Sequence, residues 1–469
     1  NVDSVPRSIE GAYVQEPIPG PYKWVESFDA TSLYPSIIMQ YNMSPETIID
    51  GTAYDVTVEG LLNNEYTFDP SHAVAGNGQA FSREKRGIFP RIVQKFFDDR
   101  QRYKNLMFEA KAEYKKTGDP KTKQLISKYN NFQMARKIQL NSLYGAMANE
   151  YFRYYDDRIA EGITLAGQFI IRRTANALDE YLNHILQTEN ETYSFYTDTD
   201  SCYITLKAIV DKYFPNKTTN EIVELLDRVG SDQIEPCITR AMTKLAKETN
   251  AFEEKIFFKR EAIADNCLWV AKKRYAMNVL DMEGERFDTP QLKILGLETV
   301  RSSTPAVVRE SLKGAITVCL TSDEETMHRY IEDAKIKFYN ESYEDIAFPR
   351  GCNNLKKYSD EDRIYSKGTP IAVRGALLYN YYIKKANLHM KYELIQEGDK
   401  VKYIYLTEPN TIREDCIAFS GKFPTELNLA RYVDHELMFK KAFLEPIKNI
   451  MSSLNWTTES ENTLEGLFT

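Results

Sequence analysis

The residues of this chain that could do chemistry begin with two carboxylates. Asp198 and Asp200 stand two apart in Phe195-Tyr196-Thr197-Asp198-Thr199-Asp200-Ser201-Cys202-Tyr203-Ile204, where strand formers flank a centre of turn residues. The pattern predicts a β-hairpin with both acids at a rigid tip, aimed at one spot if the bend keeps strand alternation. A lone D-x-D is far more often just a solvated turn, so the signal needs a partner. A calcium loop of the helix-loop-helix kind fits poorly, since position five from Asp198 is Cys202 and no Glu stands at position twelve. Far upstream, Trp24 to Ile38 reads as a short strand ending at Asp29, a tight turn, and an apolar helix opened by Pro35. Asp29 could simply cap that turn. Together, a carboxylate at one strand end and a pair at a hairpin tip are the parts of a two-metal Mg²⁺ site. Hard oxygens suit that ion, and two such ions stabilise the attacking and leaving oxygens of an in-line phosphoryl transfer.

A second group is cationic. Lys137, Asn141 and Tyr144 recur at spacings of four and three and share one helix face, while Arg100 and Lys104 lie four apart on the preceding helix. A basic stripe on each of two facing helices suits the charged tail of a nucleoside triphosphate. An ordinary exposed face would show the same spacing.

These groups must be positioned by an α+β framework. Two helices, from about 89 to 117 and from about 121 to 145, are split at Gly118-Asp119-Pro120, a stop-and-turn signal, and make a helical hairpin. An amphipathic helix is predicted around 157 to 187, a helix around 219 to 249, and strands at 256 to 263, 268 to 280 and 291 to 299. From about 300 onward helices dominate, with Tyr-rich stretches at 379 to 382 and 403 to 405.

With 469 residues the chain can bury a large core in several structural units. A net charge of -8 excludes a generally basic, nucleic-acid-coating protein, so any contact with nucleic acid must come from local basic surface. Arg83 to Lys104 and Lys111 to Lys137 offer such surface, although charge runs are usually solvated helix faces. The six cysteines lack C-x-x-C spacing, which argues against a zinc ribbon, an iron-sulfur site or a disulfide framework and suits a reducing cytoplasm. No signal peptide and no bilayer-spanning apolar run is evident.

Three well-spaced motifs make the chain similar to the catalytic half of family B DNA polymerases. Asp29-Ala30-Thr31-Ser32-Leu33-Tyr34-Pro35-Ser36 resembles that family's first palm motif, Arg136 to Gly145 its fingers-helix motif, and Tyr196 to Ser201 its second palm motif. Lys259 to Ile263 and Lys272 to Tyr275 resemble the palm segments that hold the primer end. Gly11 to Pro19, Ser44 to Ile48, Gly296 to Thr299 and Ser302 to Pro305 are characteristic of the replicative polymerases of T-even-type tailed phages.

The resemblance implies a right-hand polymerase fold: palm at 1–88 and 146–290, fingers at 89–145, thumb at 291–455, and a tail at 456–469. It implies template-directed DNA synthesis in phage replication, in the cytoplasm of an infected bacterium, with two Mg²⁺ ions for which Mn²⁺ can substitute. Asp29 and Asp200 would bridge both ions, the Ala30 carbonyl would complete one site, and Asp198 would bind transiently or from behind. Arg100 and Lys137 would contact the β and γ phosphates, assisted by Asn141 and Lys104, and Lys137 could protonate the departing pyrophosphate. The N–H groups of Ser32 and Leu33 would cradle the triphosphate. Tyr34, packed beneath the deoxyribose, would exclude a 2′-hydroxyl, and Tyr144 would test the minor-groove shape of the nascent base pair. Glu261 would sit near the ions, and Lys272, Lys273, Arg274 and Tyr275 would touch the primer-template duplex. Leu464, Leu467 and Phe468 would peg a sliding clamp.

Three departures qualify the resemblance. Thr197 stands where many members have Gly, the helical hairpin is shorter than in the T-even phage enzymes, and no acidic F-D-I-E-type proofreading motif occurs, the F-D-A at Phe28 to Ala30 belonging to the palm. The expectation is polymerisation without editing in this chain, which starts at Asn1 and is either a fragment or one half of a split enzyme working with a separate exonuclease chain. A metal-dependent nuclease would share the carboxylates but has no use for Tyr34 or the Lys137-Asn141-Tyr144 face. A non-catalytic DNA-binding subunit would have no need of the acids.

Overall fold

The computed structural model describes residues 9–458, apart from the Val300 side chain. Helices and antiparallel ladders combine in an α+β architecture, and the chain divides into two compact units. The first comprises the residues up to Glu16, Lys23–Asp265 and Leu280–Thr289, the second Pro17–Tyr22, Asn266–Val279 and the chain from Pro290.

The first unit is built around β1 (Gly20–Ala30), a buried run that carries Glu26, Ser27 and Asp29 among its apolar residues. A turn at Thr31–Ser32, with Ser32 at φ 51, leads into α1 (Leu33–Gln40). The helix starts two residues before Pro35, which sits in the first turn, where its missing N–H has no intrahelical partner to lose. A small sheet of β2 (Ile48–Ala53), β3 (His72–Val74) and β4 (Gln79–Ser82), ordered β2-β4-β3, follows with the short α2 (Val58–Leu62).

The helical hairpin consists of α3 (Ile88–Thr117) and α4 (Pro120–Met147). Gly118 ends α3 in the left-handed region at φ 64, Asp119 accepts the Lys121 N–H as the cap of α4, and Pro120 fills its first position. Gln133, Leu140 and Met147, seven apart, form the buried stripe of α4 and leave Lys137 and Asn141 exposed. An Arg136–Asp99 ion pair of 3.2 Å and the Tyr103–Phe132 ring contact at 5.1 Å join the two helices.

Next come α5 (Asp157–Leu186), β5 (Tyr196–Asp198), β6 (Ser201–Thr205) and α6 (Lys207–Tyr213). The single helix expected over 219 to 249 is instead α7 (Thr219–Val229) and α8 (Glu235–Glu248), joined through a π-turn at Gly230–Ile234. Pro236 accounts for the break, because it has no N–H for a carbonyl one turn back. The strand expected across 268 to 280 is also interrupted. β7 (Phe258–Ala271) and β8 (Arg274–Met282) meet at Lys272–Lys273, with Lys273 at φ 58, and β9 (Glu285–Leu295) follows. The large sheet runs β5-β6-β1-β7-β8-β9. Phe28, Cys202, Ile204 and Ile263 from its strands share a core with Ile37 and Ile38 of α1 and Ile163, Phe169 and Ile170 of α5.

The second unit contains α9 (Ala306–Thr321), α10 (Glu324–Tyr339), α11 (Tyr343–Ile346), β10 (Phe348–Gly351), α12 (Leu355–Tyr358), β11 (Ser359–Asp360), β12 (Ile364–Tyr365) and α13 (Ile371–Lys385). It continues with β13 (Lys400–Tyr405), β14 (Cys416–Phe419), α14 (His435–Phe439) and α15 (Glu445–Ser452). The helical dominance expected here is tempered by a sheet ordered β10-β13-β14, into which the alternating Tyr403 and Tyr405 fall. Gly375 lets α13 lie directly on that sheet, since a Cβ there would stand 2.7 Å from the Ala418 nitrogen. Leu312, Ile316, Tyr379, Phe419 and Phe443 centre the unit's core. Among the described residues no helix is long and apolar enough to cross a membrane.

Candidate active site

Strand register brings the acids together. Asp29 lies opposite Ser201 across β1 and β6, and Asp198 lies opposite the same serine across β5 and β6. The Ser201 hydroxyl donates to Asp29 Oδ1. The Ala30 N–H donates to the Asp200 carbonyl at 2.8 Å, tying the β5–β6 turn to the end of β1. That turn is tight: Thr199 has φ 59 and the Asp200 N–H reaches the Asp198 carbonyl at 2.6 Å. A β-branched residue at positive φ stores strain, held here by a 3.1 Å bond from the Thr199 N–H to the Tyr13 carbonyl. Asp198 therefore ends a strand while Asp200 belongs to the turn, so strand alternation is not what aligns them.

Glu261 joins from β7. The Ser27 hydroxyl donates to Glu261 Oε2 at 3.2 Å and accepts the Ala262 N–H at 3.2 Å. Ser27 and Asp29 share a face of β1. Burial pushes the Asp200 carboxyl above the usual carboxylate range, the charges of Asp198 and Glu261 push it further, and Lys137 opposes them. Asp198, Glu261 and Lys137 are thus each close enough to act electrostatically on Asp200.

Among the described residues no group of three or more His, Cys, Asp or Glu side chains is gathered as a metal-ion cluster. Mg²⁺ does not require one, because it is commonly held by one or two carboxylates and fills its other positions with water and substrate phosphate. Asp29, Asp198, Asp200 and the Ala30 carbonyl offer only hard oxygens, and a half-buried Asp200 repelled by two acidic neighbours is stabilised by a cation. The residues fit Mg²⁺.

The α1 turn and the helical hairpin supply a second wall. The rings of Tyr34 and Tyr144 lie 4.5 Å apart at 48°. Burial, then Tyr144 and Asp200, push the Tyr34 hydroxyl up to about 12. Arg100 Nη1 donates to the Ser32 hydroxyl at 2.8 Å, while its buried Nε has no hydrogen-bond partner among the described residues. Lys104 pairs at 3.1 Å with Glu283, in the turn between β8 and β9. Lys137 and Asn141 are exposed, and Leu33 is buried in the core. Ser32, Tyr34, Arg100 and Tyr144 are thus brought together.

Four of the expected duplex-contact residues lie in the second unit and differ in character. Lys272 and Lys273 are exposed at the β7–β8 turn. Arg274 binds the Glu298 carboxylate at 2.9 and 3.0 Å, and Tyr275 is buried and stacked on Trp269 at 4.6 Å. Leu464, Leu467 and Phe468 lie outside the described residues.

Sequence reasoning assigned no role to Ser27, Thr199, Ser201 or Glu283. Ser27 was within reach, as it stands two before Asp29 on a strand. Glu283 carried no local signal, because its partner Lys104 is remote in sequence.

The model of DNA polymerase family B matches residues 3–454. The DNA-directed DNA polymerase of Escherichia phage RB69 is 34% identical over 515 aligned residues, which cover 98% of this chain and 56% of the relative. That of Enterobacteria phage T4 is 33% identical over 519, covering 99% and 57%. The DNA polymerase delta catalytic subunit of Candida albicans is 28% identical over 303, covering 64% and 25%. The chain spans a little over half the length of the two phage relatives, 56% and 57%.

Proposed function

Since the chain belongs to DNA polymerase family B, we propose that it extends a primer 3′-hydroxyl on a DNA template with deoxynucleotides and releases pyrophosphate, in phage DNA replication. The observation that carries this reading is the register that sets Asp29 and Asp198 about one serine, with Asp200 pinned to β1, beside the Tyr34–Tyr144 and Arg100–Ser32 contacts. A nuclease would use the acids alone. On this reading the large sheet is the palm, the α3–α4 hairpin the fingers, and the second unit from Pro290 onward chiefly the thumb.

Asp29 and Asp200, with the Ala30 carbonyl and Asp198, would hold two Mg²⁺ ions, which when bound neutralise charge on the attacking and leaving oxygens. The chain's own groups do the rest. Arg100, freed from Ser32, and Lys137, on the exposed face of α4, take the phosphate tail, and the Lys137 ammonium can give a proton to the departing pyrophosphate oxygen. The primer 3′-hydroxyl loses its proton to water as its oxygen bonds to the α phosphorus and the bond to the bridging oxygen breaks. Tyr34 holds the sugar and excludes a 2′-hydroxyl, and Lys272 and Lys273 hold duplex phosphates.

The test is extension of a labelled primer by the purified chain with Mg²⁺ and four deoxynucleotides. Growth to template length is expected. Degradation of the primer without growth would favour the nuclease reading.

A further inference from the structure

Gly167, in the middle of α5, lies against the ring of Tyr34. A Cβ there would stand 3.3 Å from Tyr34 Cε1, 3.6 Å from Leu33 Cδ2 and 3.7 Å from Ile37 Cδ1. The last two are ordinary contacts, whereas the first is tight enough that the ring would have to shift by a few tenths of an ångström. Leu33 and Ile37 are buried in the core, so α1 cannot yield as a body, and the ring itself is the movable part. The same ring meets Tyr144 at 4.5 Å. Gly167 has ordinary helical backbone inside a 30-residue helix, where alanine is the better helix former, so the close approach is what asks for glycine.

We propose that Gly167 is a positioning residue for sugar selection, a backstop that sets how deeply the Tyr34 ring sits and hence how much room remains beside it for a nucleotide sugar. This rests on the reading of Tyr34 as the group that excludes a 2′-hydroxyl. A methyl group at 167 drives the ring away from α5 and narrows that room. Overpacking of this kind acts on the substrate with the larger sugar more than on the smaller one.

The experiment measures single-turnover kcat/KM for a deoxynucleotide and its ribonucleotide with the wild type, Gly167→Ala, Tyr34→Ala and the double variant, together with each Tm. Gly167→Ala is expected to raise the deoxy-over-ribo ratio about fivefold or more, chiefly through KM, and to have no effect once Tyr34 is alanine. An unchanged ratio in Gly167→Ala, or an equal shift with and without the Tyr34 ring, overturns the proposal. A ratio unchanged in Tyr34→Ala itself overturns the underlying reading instead. Should Gly167→Ala lower the Tm, recovery of the Tm in the double variant is the expected signature of the same contact, and a Tm that stays low overturns it.

Discussion

Replacing Glu26 by Gln should remove a pH dependence from the stability of the first unit. Glu26 is fully buried on β1, and among the described residues neither of its carboxyl oxygens has a hydrogen-bond partner. Arg260, the cation that acts on it, is engaged with Asp281 and Asp227, both at 2.6 Å. Burial therefore raises the Glu26 carboxyl well above the usual range, Arg260 opposes this, and Asp227, Asp281 and Glu235 add to it. Below the unfolded-state pKa of about 4.3 the group is protonated in both states and has no effect on the balance. Above it the unfolded chain releases the proton and the folded one keeps it, so stability falls by about 1.4 kcal/mol per pH unit until the folded-state pKa is reached. Gln cannot titrate. Near pH 4 the variant and the wild type should be equally stable, and as the pH rises from there the variant should pull ahead, by up to about 1.4 kcal/mol for each pH unit below the folded-state pKa. Urea denaturation of both proteins across this range, followed by a signal from the first unit, reads the difference. Stability curves that run parallel would refute a neutral, unpaired Glu26.

Two further outcomes follow from the site. Arg100→Ala should raise KM for deoxynucleotides about tenfold or more, the scale of a lost charge-assisted hydrogen bond, and a nucleotide titration under single turnover that shows no change would remove Arg100 from the phosphate site. Lys273→Ala should weaken primer-template binding and reduce the salt slope by about one unit, since the residue is exposed at the tip of a hairpin; an unaltered slope in a salt series would exclude a phosphate contact.

The acids and the helical hairpin were legible because their signals are local. Gly118-Asp119-Pro120 stops one helix and starts the next by backbone chemistry alone, and β-branched and aromatic residues around Asp198 and Asp200 specify a hairpin. The π-turn at Gly230–Ile234 was hidden because the apolar spacing carries on through it, with only Pro236 as a sign. Lys272–Lys273 lacks the Gly or Asn that usually marks a two-residue turn, so one long strand was the natural reading. Ser201 against Asp29, Ser27 against Glu261 and Gly167 against Tyr34 are tertiary pairings, remote in sequence and visible only once the sheet and α5 are assembled.

The most direct test of a two-metal polymerase centre is single-turnover insertion of each of the four deoxynucleotides opposite each template base, with Mg²⁺, by the wild type and by Asp29→Ala, Asp198→Ala and Asp200→Ala. Insertion of the complementary nucleotide only is expected, with loss of all insertion without Asp29 or Asp200 and partial activity without Asp198. Equal residual activity in the three variants, or insertion indifferent to the template base, would contradict it.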